Sequence, residues 1–319
     1  MEIIDSLKFV KGSIAKKDFL PALTHFVIEK GMVRGYNGVI ALCSPIAFDI
    51  DCKPKADELI NAVTHCDETI VLSMTDTGRL RIVSGSYKAF VKCVTEETVH
   101  VLPEGERMEF AGTELLDALK VIEPFVGEDA SRPWSNGVLL RGQSAFATNN
   151  VTLVEYWIGA DFPSTVNVPH AAIKEMLRIG EAPTHAQLGS NSITFHYPGD
   201  RWIRSQLFAT EWPDLSRILD DECNPAPIDP RLFEGLDKIA KRSDAMNRVF
   251  IKDGVLSTVP DDGEGAQYAV PGLQCEGVYA IPMLRLLEGI AEKVDFTTYP
   301  KPCLFFGPRL RGAIIGMRT

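Results

Sequence analysis

Asp49-Ile50-Asp51 is the nearest approach in this sequence to a catalytic carboxylate pair. Two such carboxylates can hold divalent cations that stabilise the attacking and leaving oxygens of a phosphodiester displacement. The same alternation is that of one solvent-facing side of a strand, which is the reading preferred here. Asp261-Asp262-Gly263-Glu264-Gly265 resembles a fragment of a calcium loop without the remaining ligands, and an acidic hairpin is expected there. Six histidines (His25, His65, His100, His170, His185 and His196) show no ligand spacing and are expected in surface or half-buried roles. Seven cysteines (Cys43, Cys52, Cys66, Cys93, Cys223, Cys275 and Cys303) are widely spread, odd in number and free of any Cys-x-x-Cys pair. They read as reduced, mostly buried small hydrophobes. No Walker loop, dinucleotide fingerprint, Gly-x-Ser-x-Gly elbow or His-Glu-x-x-His helix occurs. These residues predict a binding protein with no catalytic site, no cofactor and no metal.

The 319 residues are 45% apolar and 24% charged, the profile of an ordinary globular protein. No apolar run approaches the length of a membrane span, and no basic-then-apolar leader opens the chain, so a cytoplasmic protein is expected. The net charge of −10 counts at first sight against nucleic acid, whose phosphates reward basic proteins. The distribution matters more than the total. Basic residues fall on the polar sides of the expected helices: Lys8, Lys11, Lys16, Lys17, Lys120, Lys174, Arg178, Arg231, Lys238, Lys241, Arg242, Arg285 and Lys293. Acidic runs fall elsewhere, at Glu96-Glu97, Asp220-Asp221-Glu222 and Asp261-Asp262 to Glu264. A basic, helix-lined inner face with an acidic outer rim would hold duplex DNA through its backbone, loosely enough to slide. Taken singly, each cation also fits a solvated helix face, and Glu114, Asp117 and Glu234 share those helices.

The elements that would position these side chains repeat three times. Glu2-Ile3-Ile4-Asp5-Ser6-Leu7-Lys8-Phe9-Val10 recurs as Glu114-Leu115-Leu116-Asp117-Ala118-Leu119-Lys120-Val121-Ile122, and a third copy opens at Leu232-Phe233-Glu234-Gly235-Leu236-Asp237-Lys238-Ile239. Each copy has apolar residues three and four apart: Ile4, Leu7, Val10 and Ile14; Leu115, Leu116, Leu119 and Ile122; Leu232, Leu236 and Ile239. That spacing predicts an amphipathic helix. β-rich runs follow, such as 25–33, 137–146 and 248–259. A second helix is expected over 56–63, 169–179 and 282–291, with Pro169 and Pro282 in first turns. Further antiparallel strands are expected over 69–73, 80–83 and 89–94, over 186–189, 192–197 and 202–208, and over 295–298, 303–306 and 312–317. Asp76-Thr77-Gly78 and Pro198-Gly199-Asp200 read as hairpin connectors. The fold class is α+β, in three domains at 1–104, 105–220 and 221–319. Helices on one face of a curved sheet, three times over, form an arc, and a head-to-tail contact between two copies would close it.

The residues resemble a known family, the bacterial DNA polymerase III beta subunit or beta sliding clamp. Ser131-Arg132-Pro133-Trp134-Ser135-Asn136-Gly137-Val138, Phe146-Ala147-Thr148-Asn149 and Gln187-Leu188-Gly189-Ser190-Asn191-Ser192-Ile193 are similar to its segments, in order. Trp212-Pro213-Asp214-Leu215 resembles its Phe-Pro-Asp-Tyr signature, and Gly316-Met317-Arg318-Thr319 its closing Met-Pro-Met-Arg-Leu. Its Asp-Gly-His-Arg is replaced by Asn149-Asn150-Val151-Thr152. A chain this short, opening directly on its helix, suggests a reduced, phage-encoded version.

The resemblance implies three clamp domains, a homodimeric ring around double-stranded DNA without sequence preference, and partner peptides from the DNA polymerase and clamp loader. Transferred position by position, the peptide pocket falls on Arg132, Thr148, Leu153, Ile315 and Met317. The charge pattern puts the DNA face on Lys8, Lys11, Lys120, Lys174, Arg178, Lys238, Lys241, Arg242 and Arg285, and the resemblance adds Trp134, stacking on a base or packing on the backbone, against the alternative of a partly buried packing residue. The alternative is a clamp-fold regulatory protein that binds replication partners without encircling DNA.

Overall fold

A computed structural model describes residues 3–17, 20–67, 69–260 and 263–318. Glu2 of the first repeat, Asp261 and Asp262 of the acidic loop, and the terminal Thr319 lie outside the described residues.

In chain order the first stretch runs α1 (Ile3–Val10), β1 (Val27–Glu29), β2 (Met32–Tyr36), β3 (Ile40–Pro45), α2 (Ala56–Thr64), β4 (Val71–Met74), β5 (Arg79–Ser84) and β6 (Tyr87–Lys92). The second runs β7 (Glu106–Met108), α3 (Gly112–Ile122), β8 (Gly137–Thr148), β9 (Thr152–Pro169), α4 (His170–Ile179), β10 (His185–Leu188), β11 (Ser192–Tyr197) and β12 (Arg201–Gln206). The third runs β13 (Ala226–Pro227), α5 (Arg231–Ile239), β14 (Arg248–Lys252), β15 (Val255–Ser257), β16 (Gln267–Ala269), β17 (Gly277–Ala280), α6 (Ile281–Arg285), β18 (Lys293–Val294), β19 (Cys303–Gly307) and β20 (Leu310–Ile314).

The opening helix of each repeat forms where its apolar spacing places it. Leu7, Leu119 and Leu236 hold equivalent positions in α1, α3 and α5, and all three are buried. Burying a leucine side chain contributes about 2 kcal/mol, so each helix is held chiefly by its apolar face. Several expectations need correction. Ile14 lies beyond α1, after a 3-10 turn at Lys11–Ser13. Pro169 ends β9 and serves as the N-cap of α4 rather than standing in its first turn. α6 stops at Arg285, because Leu286, Leu287 and Glu288 donate to the carbonyls of Met283, Leu284 and Arg285 in the tighter i→i+3 pattern. The 295–298 segment is a 3-10 turn, since Asp295 accepts from the backbone N–H of Thr297 at 3.0 Å and from its hydroxyl at 2.6 Å.

The backbone divides into two compact units, Met1–Leu116 with Val168–Ala209, and Asp117–Asn167 with Thr210–Thr319. The first contains a seven-stranded sheet of order β1-β2-β3-β12-β11-β10-β7 and a three-stranded sheet β4-β5-β6. The second contains a six-stranded sheet β13-β18-β19-β20-β9-β8 and a four-stranded sheet β16-β15-β14-β17.

The larger sheets join strands of neighbouring repeats. β3 of the first repeat pairs antiparallel with β12 of the second, Leu42 opposite Ile203. β9 of the second pairs in the same way with β20 of the third, Leu153 opposite Ala313. Each junction unites the last strand of the meander that follows a repeat's opening helix (β1-β2-β3 in the first, β8-β9 in the second and β14-β15-β16 in the third) with the last strand of another repeat. By that rule a third junction would unite β16 with β6. Both are terminal strands of their sheets, and no further strand lies beyond either among the described residues.

Asp49 and Asp51 lie in the loop after β3, not on a strand. Asp51 accepts from the backbone N–H of Lys30 at 2.9 Å, which makes it a turn carboxylate. No group of three or more potential metal ligands occurs among the described residues. No helix among them is long and apolar enough to cross a membrane.

Candidate functional site

A pocket of about 180 Å³ opens in the second unit, walled by Arg132, Trp134, Thr148, Asn150, Val151, Thr152, Leu153, Leu215, Ile218, Ala313 and Ile315. Its back wall is the β9–β20 junction, where Ala313 stands opposite Leu153 and the N–H of Ile315 donates to the Val151 carbonyl at 2.9 Å. Beneath lies an apolar cluster of Leu139, Phe146, Leu153, Leu219, Leu304 and Ala313. A methyl-lined depression over such a cluster can take an apolar side chain from a partner, with the release of water as the driving force.

The turn between β8 and β9 forms one rim, and Asn149 organises it. Its side-chain oxygen accepts from the N–H of Val151 (3.0 Å), the N–H of Thr152 (2.8 Å) and the Thr152 hydroxyl (2.9 Å). Asn150 can then take a left-handed φ of 69°, which asparagine tolerates better than most residues. Thr148 is buried, and its hydroxyl donates to the Thr152 carbonyl at 2.6 Å. Its methyl group is therefore what the pocket can meet.

Arg132 and Trp134 form the opposite rim. The Arg132 carbonyl accepts from the N–H and the hydroxyl of Ser135, both at 2.9 Å, while half of the side chain remains exposed. Asp129 lies 4.0 Å from the guanidinium. Hydrogen bonds from the Ser131 hydroxyl and N–H hold the Asp129 carboxyl below the usual carboxylate range, so it stays anionic beside Arg132. Trp134 sits in the 3-10 turn Pro133–Ser135 and meets Trp212 edge-on, with centroids 5.2 Å apart. The Trp134 carbonyl accepts from Asn167 at 2.8 Å.

Arg132, Thr148, Leu153 and Ile315, the positions transferred by resemblance, thus line one pocket. Met317 does not line this pocket: its N–H donates to the Val278 carbonyl at 2.7 Å, and its carbonyl accepts from the Tyr299 hydroxyl at 2.8 Å. Trp134, assigned to DNA by the sequence, faces the pocket. Leu215 and Ile218 were missed as pocket residues, although Leu215, Ile218 and Leu219 after Trp212-Pro213-Asp214 already show the three- and four-residue spacing of a short helical turn.

The basic residues fall in two groups. In the first unit Lys8, Lys11, Lys16 and Arg178 border one groove with Asp57 and Glu175. Arg178 is committed to structure, donating to Glu175 at 2.8 Å and to the Phe9 carbonyl at 2.7 Å, which ties α4 to α1. Gly12 makes room for this arrangement, because a Cβ there would overlap the Glu175 carboxylate. Lys11 lies 3.7 Å from Asp57. Lys174 is exposed on α4. In the second unit Lys120 pairs with Asp117 at 3.0 Å, Lys238 with Glu234 at 2.6 Å, and Arg285 with Asp237. Lys241 and Arg242 are exposed in the 3-10 turn after α5.

Comparison with solved structures decides the fold. A DNA polymerase sliding clamp from Pseudomonas aeruginosa superposes with a TM-score of 0.83 at 18% identity, covering 99% of this chain and 97% of that one. The chain has the beta sliding clamp fold. The sliding clamp from Bartonella birtlesii bound to griselimycin gives 0.84 at 18% identity, and that from Bacillus subtilis 0.79 at 16%, each with the same coverage. No family model and no curated protein sequence matches the chain.

Proposed function

We propose that this chain is a sliding clamp, a non-enzymatic cytoplasmic processivity factor that closes around duplex DNA as a homodimer and tethers a replicative DNA polymerase. The clamp fold supports the class. The observation that carries ring closure is the pair of open strands, β6 and β16. Two of the three repeat junctions are satisfied inside the chain, and the third is left with one edge at each of two sheets. Pairing β6 of one copy with β16 of a second, and the reverse, completes all the junctions, which is the closed solution of a head-to-tail contact. Residues 1–104, 105–220 and 221–319 are then the clamp domains.

DNA would be held by the exposed cations of the helices and the 3-10 turns that follow them, chiefly Lys8, Lys11, Lys120, Lys174, Lys238, Lys241, Arg242 and Arg285, through phosphates and without base reading. Many of them already face a carboxylate, which keeps the attraction weak and suits sliding. The pocket around Leu153 and Ile315 would receive apolar anchors of linear peptides from the polymerase and the clamp loader, with Arg132 at its rim for a carboxylate or carbonyl.

Retention on DNA tests this reading. Protein loaded on nicked circular duplex should remain bound through a gel-filtration column at moderate salt and be released when the circle is linearised. Equal loss from both forms would favour the alternative, a clamp-fold regulator that binds replication partners without encircling DNA.

A further inference from the structure

The segment 52–55 stitches β1 to the end of β6 in the first unit. Cys52 and Ile28 exchange backbone hydrogen bonds of 2.9 Å in both directions, and the Pro54 carbonyl accepts from Phe26 at 2.9 Å. On the other side Val94 donates to the Lys53 carbonyl at 3.0 Å and Lys55 to the Lys92 carbonyl at 2.8 Å, so that Pro54 stands opposite Cys93. Cys52 is two positions from Pro54 and projects from the same face, which sets its thiol diagonally beside that of Cys93. The two thiols perturb one another as near neighbours, and the Cys93 Sγ donates to the Val91 carbonyl at 3.9 Å. Both border a cavity of about 480 Å³ with Asp51, Lys53, Met74 and His100.

We propose that Cys93 and Cys52 form a peroxide-sensitive thiol site, in which Cys93 is oxidised first and Cys52 resolves it to an intramolecular disulfide. The Cys93 thiolate attacks a hydroperoxide oxygen, the O–O bond breaks, and hydroxide leaves, giving a sulfenic acid. The Cys52 sulfur then attacks that sulfur, water leaves, and the S–S bond forms. The hydroperoxide gains two electrons and each thiol gives up one.

The geometry separates the two roles. Both reach the cavity, but Cys93 is partly exposed there whereas Cys52 is buried in its wall. The Cys52 thiol donates a hydrogen bond that lowers the pKa of Cys93, helped by the backbone at Leu80 and Lys53 and opposed by burial and by Glu58. That donation, with burial and the charge of Asp51, raises Cys52. Elsewhere burial pushes Cys43 up to about 11 and raises Cys66, Cys223 and Cys275. Because the thiolate is the nucleophile, Cys93 is the thiol prepared to react.

The test uses the full-length reduced protein at neutral pH, a few equivalents of hydrogen peroxide, alkylation with N-ethylmaleimide and peptide mass spectrometry. Cys93 should be consumed about ten-fold faster than the similarly exposed Cys66 and Cys223, and the product should be the Cys52–Cys93 disulfide. In Cys52→Ala, Cys93 should stop at a sulfenic acid that dimedone traps. In Cys93→Ala, Cys52 should remain alkylatable. Oxidation of Cys93 no faster than Cys66 in the unaltered protein would overturn the proposal. So would oxidised Cys93 with Cys52 still free.

Discussion

Arg311 of β20 donates to Glu155 of β9 at 2.7 Å, directly across the junction that carries the pocket. The same guanidinium reaches the Leu219 carbonyl at 3.1 Å and Asp220 at 2.9 Å, fastening the 3-10 turn Ser216–Asp220 against the sheet. Partial burial opposes the arginine charge, and its bonds to Glu155 and Asp220 more than offset that. Ser144 holds the other Glu155 oxygen at 2.8 Å. The wall bearing Leu215 and Ile218 is therefore set by a group that does not line the pocket.

Arg311→Ala should release that wall. The expected cost is about 1–2 kcal/mol of stability, the usual worth of partly buried charge-assisted bonds, measured by urea denaturation. Affinity for a polymerase-derived peptide should fall with it. Lys at this position should recover little, because one ammonium cannot span Glu155, Leu219 and Asp220 in a fixed fork.

The pocket assignment separates Ile315 from Met317. Ile315 is 41% exposed at the pocket mouth, so Ile315→Ala should leave the fold intact while weakening peptide binding. A loss of about 1–2 kcal/mol, roughly five- to thirty-fold in Kd, is expected for an apolar anchor contact. Trp134→Ala should act in the same direction by removing the edge-on partner of Trp212. Met317→Ala should change affinity by less than about 0.5 kcal/mol. Calorimetric titration of the three variants with one peptide separates these outcomes.

Stability should decline on mild acidification. His185 and His196 stand opposite each other on β10 and β11 with parallel rings 4.3 Å apart. Burial lowers both below the ordinary 6.5, with Arg107 contributing, and His196 is pushed down to about 4, also by its neighbour His185. Glu109 opposes the shift at His185. Between those values the unfolded chain binds the proton and the folded chain does not. The stability is thus fully present above about pH 6.5 and is lost as the pH falls toward 4. The loss should be of the order of 2 kcal/mol, less than the full shift would give because the ring is only half-buried and screened by solvent, and His196→Gln should flatten this part of the profile.

The opening helices were legible because their apolar residues recur at helical spacing with little competing signal, as at Leu7, Leu119 and Leu236. The second helix of the third repeat was read too long, because Leu286, Leu287 and Ile290 continue the apolar spacing while the backbone tightens ahead of Gly289, whose φ is +75°. β9 escaped notice, since an 18-residue strand reaching from Thr152 to Pro169 has no single alternating run to announce it. The junctions were illegible for a different reason. Pairing Leu153 with Ala313 is a choice of partner far along the chain, and local spacing holds no record of it. The same limit explains the site: Arg132, Thr148, Leu153 and Ile315 were reached by resemblance, whereas Leu215, Ile218 and the inward turn of Trp134 depend on where the third repeat's strand comes to lie.

Solution mass by light scattering over a concentration series tests the central claim most directly, since one chain weighs 35.2 kDa. Pairing of β6 with β16 between copies predicts a particle of twice that mass, persisting on dilution through the micromolar range and lost when Phe90→Pro disrupts the β6 edge. A particle that stays at the single-chain mass at every concentration, with and without circular DNA, would contradict it.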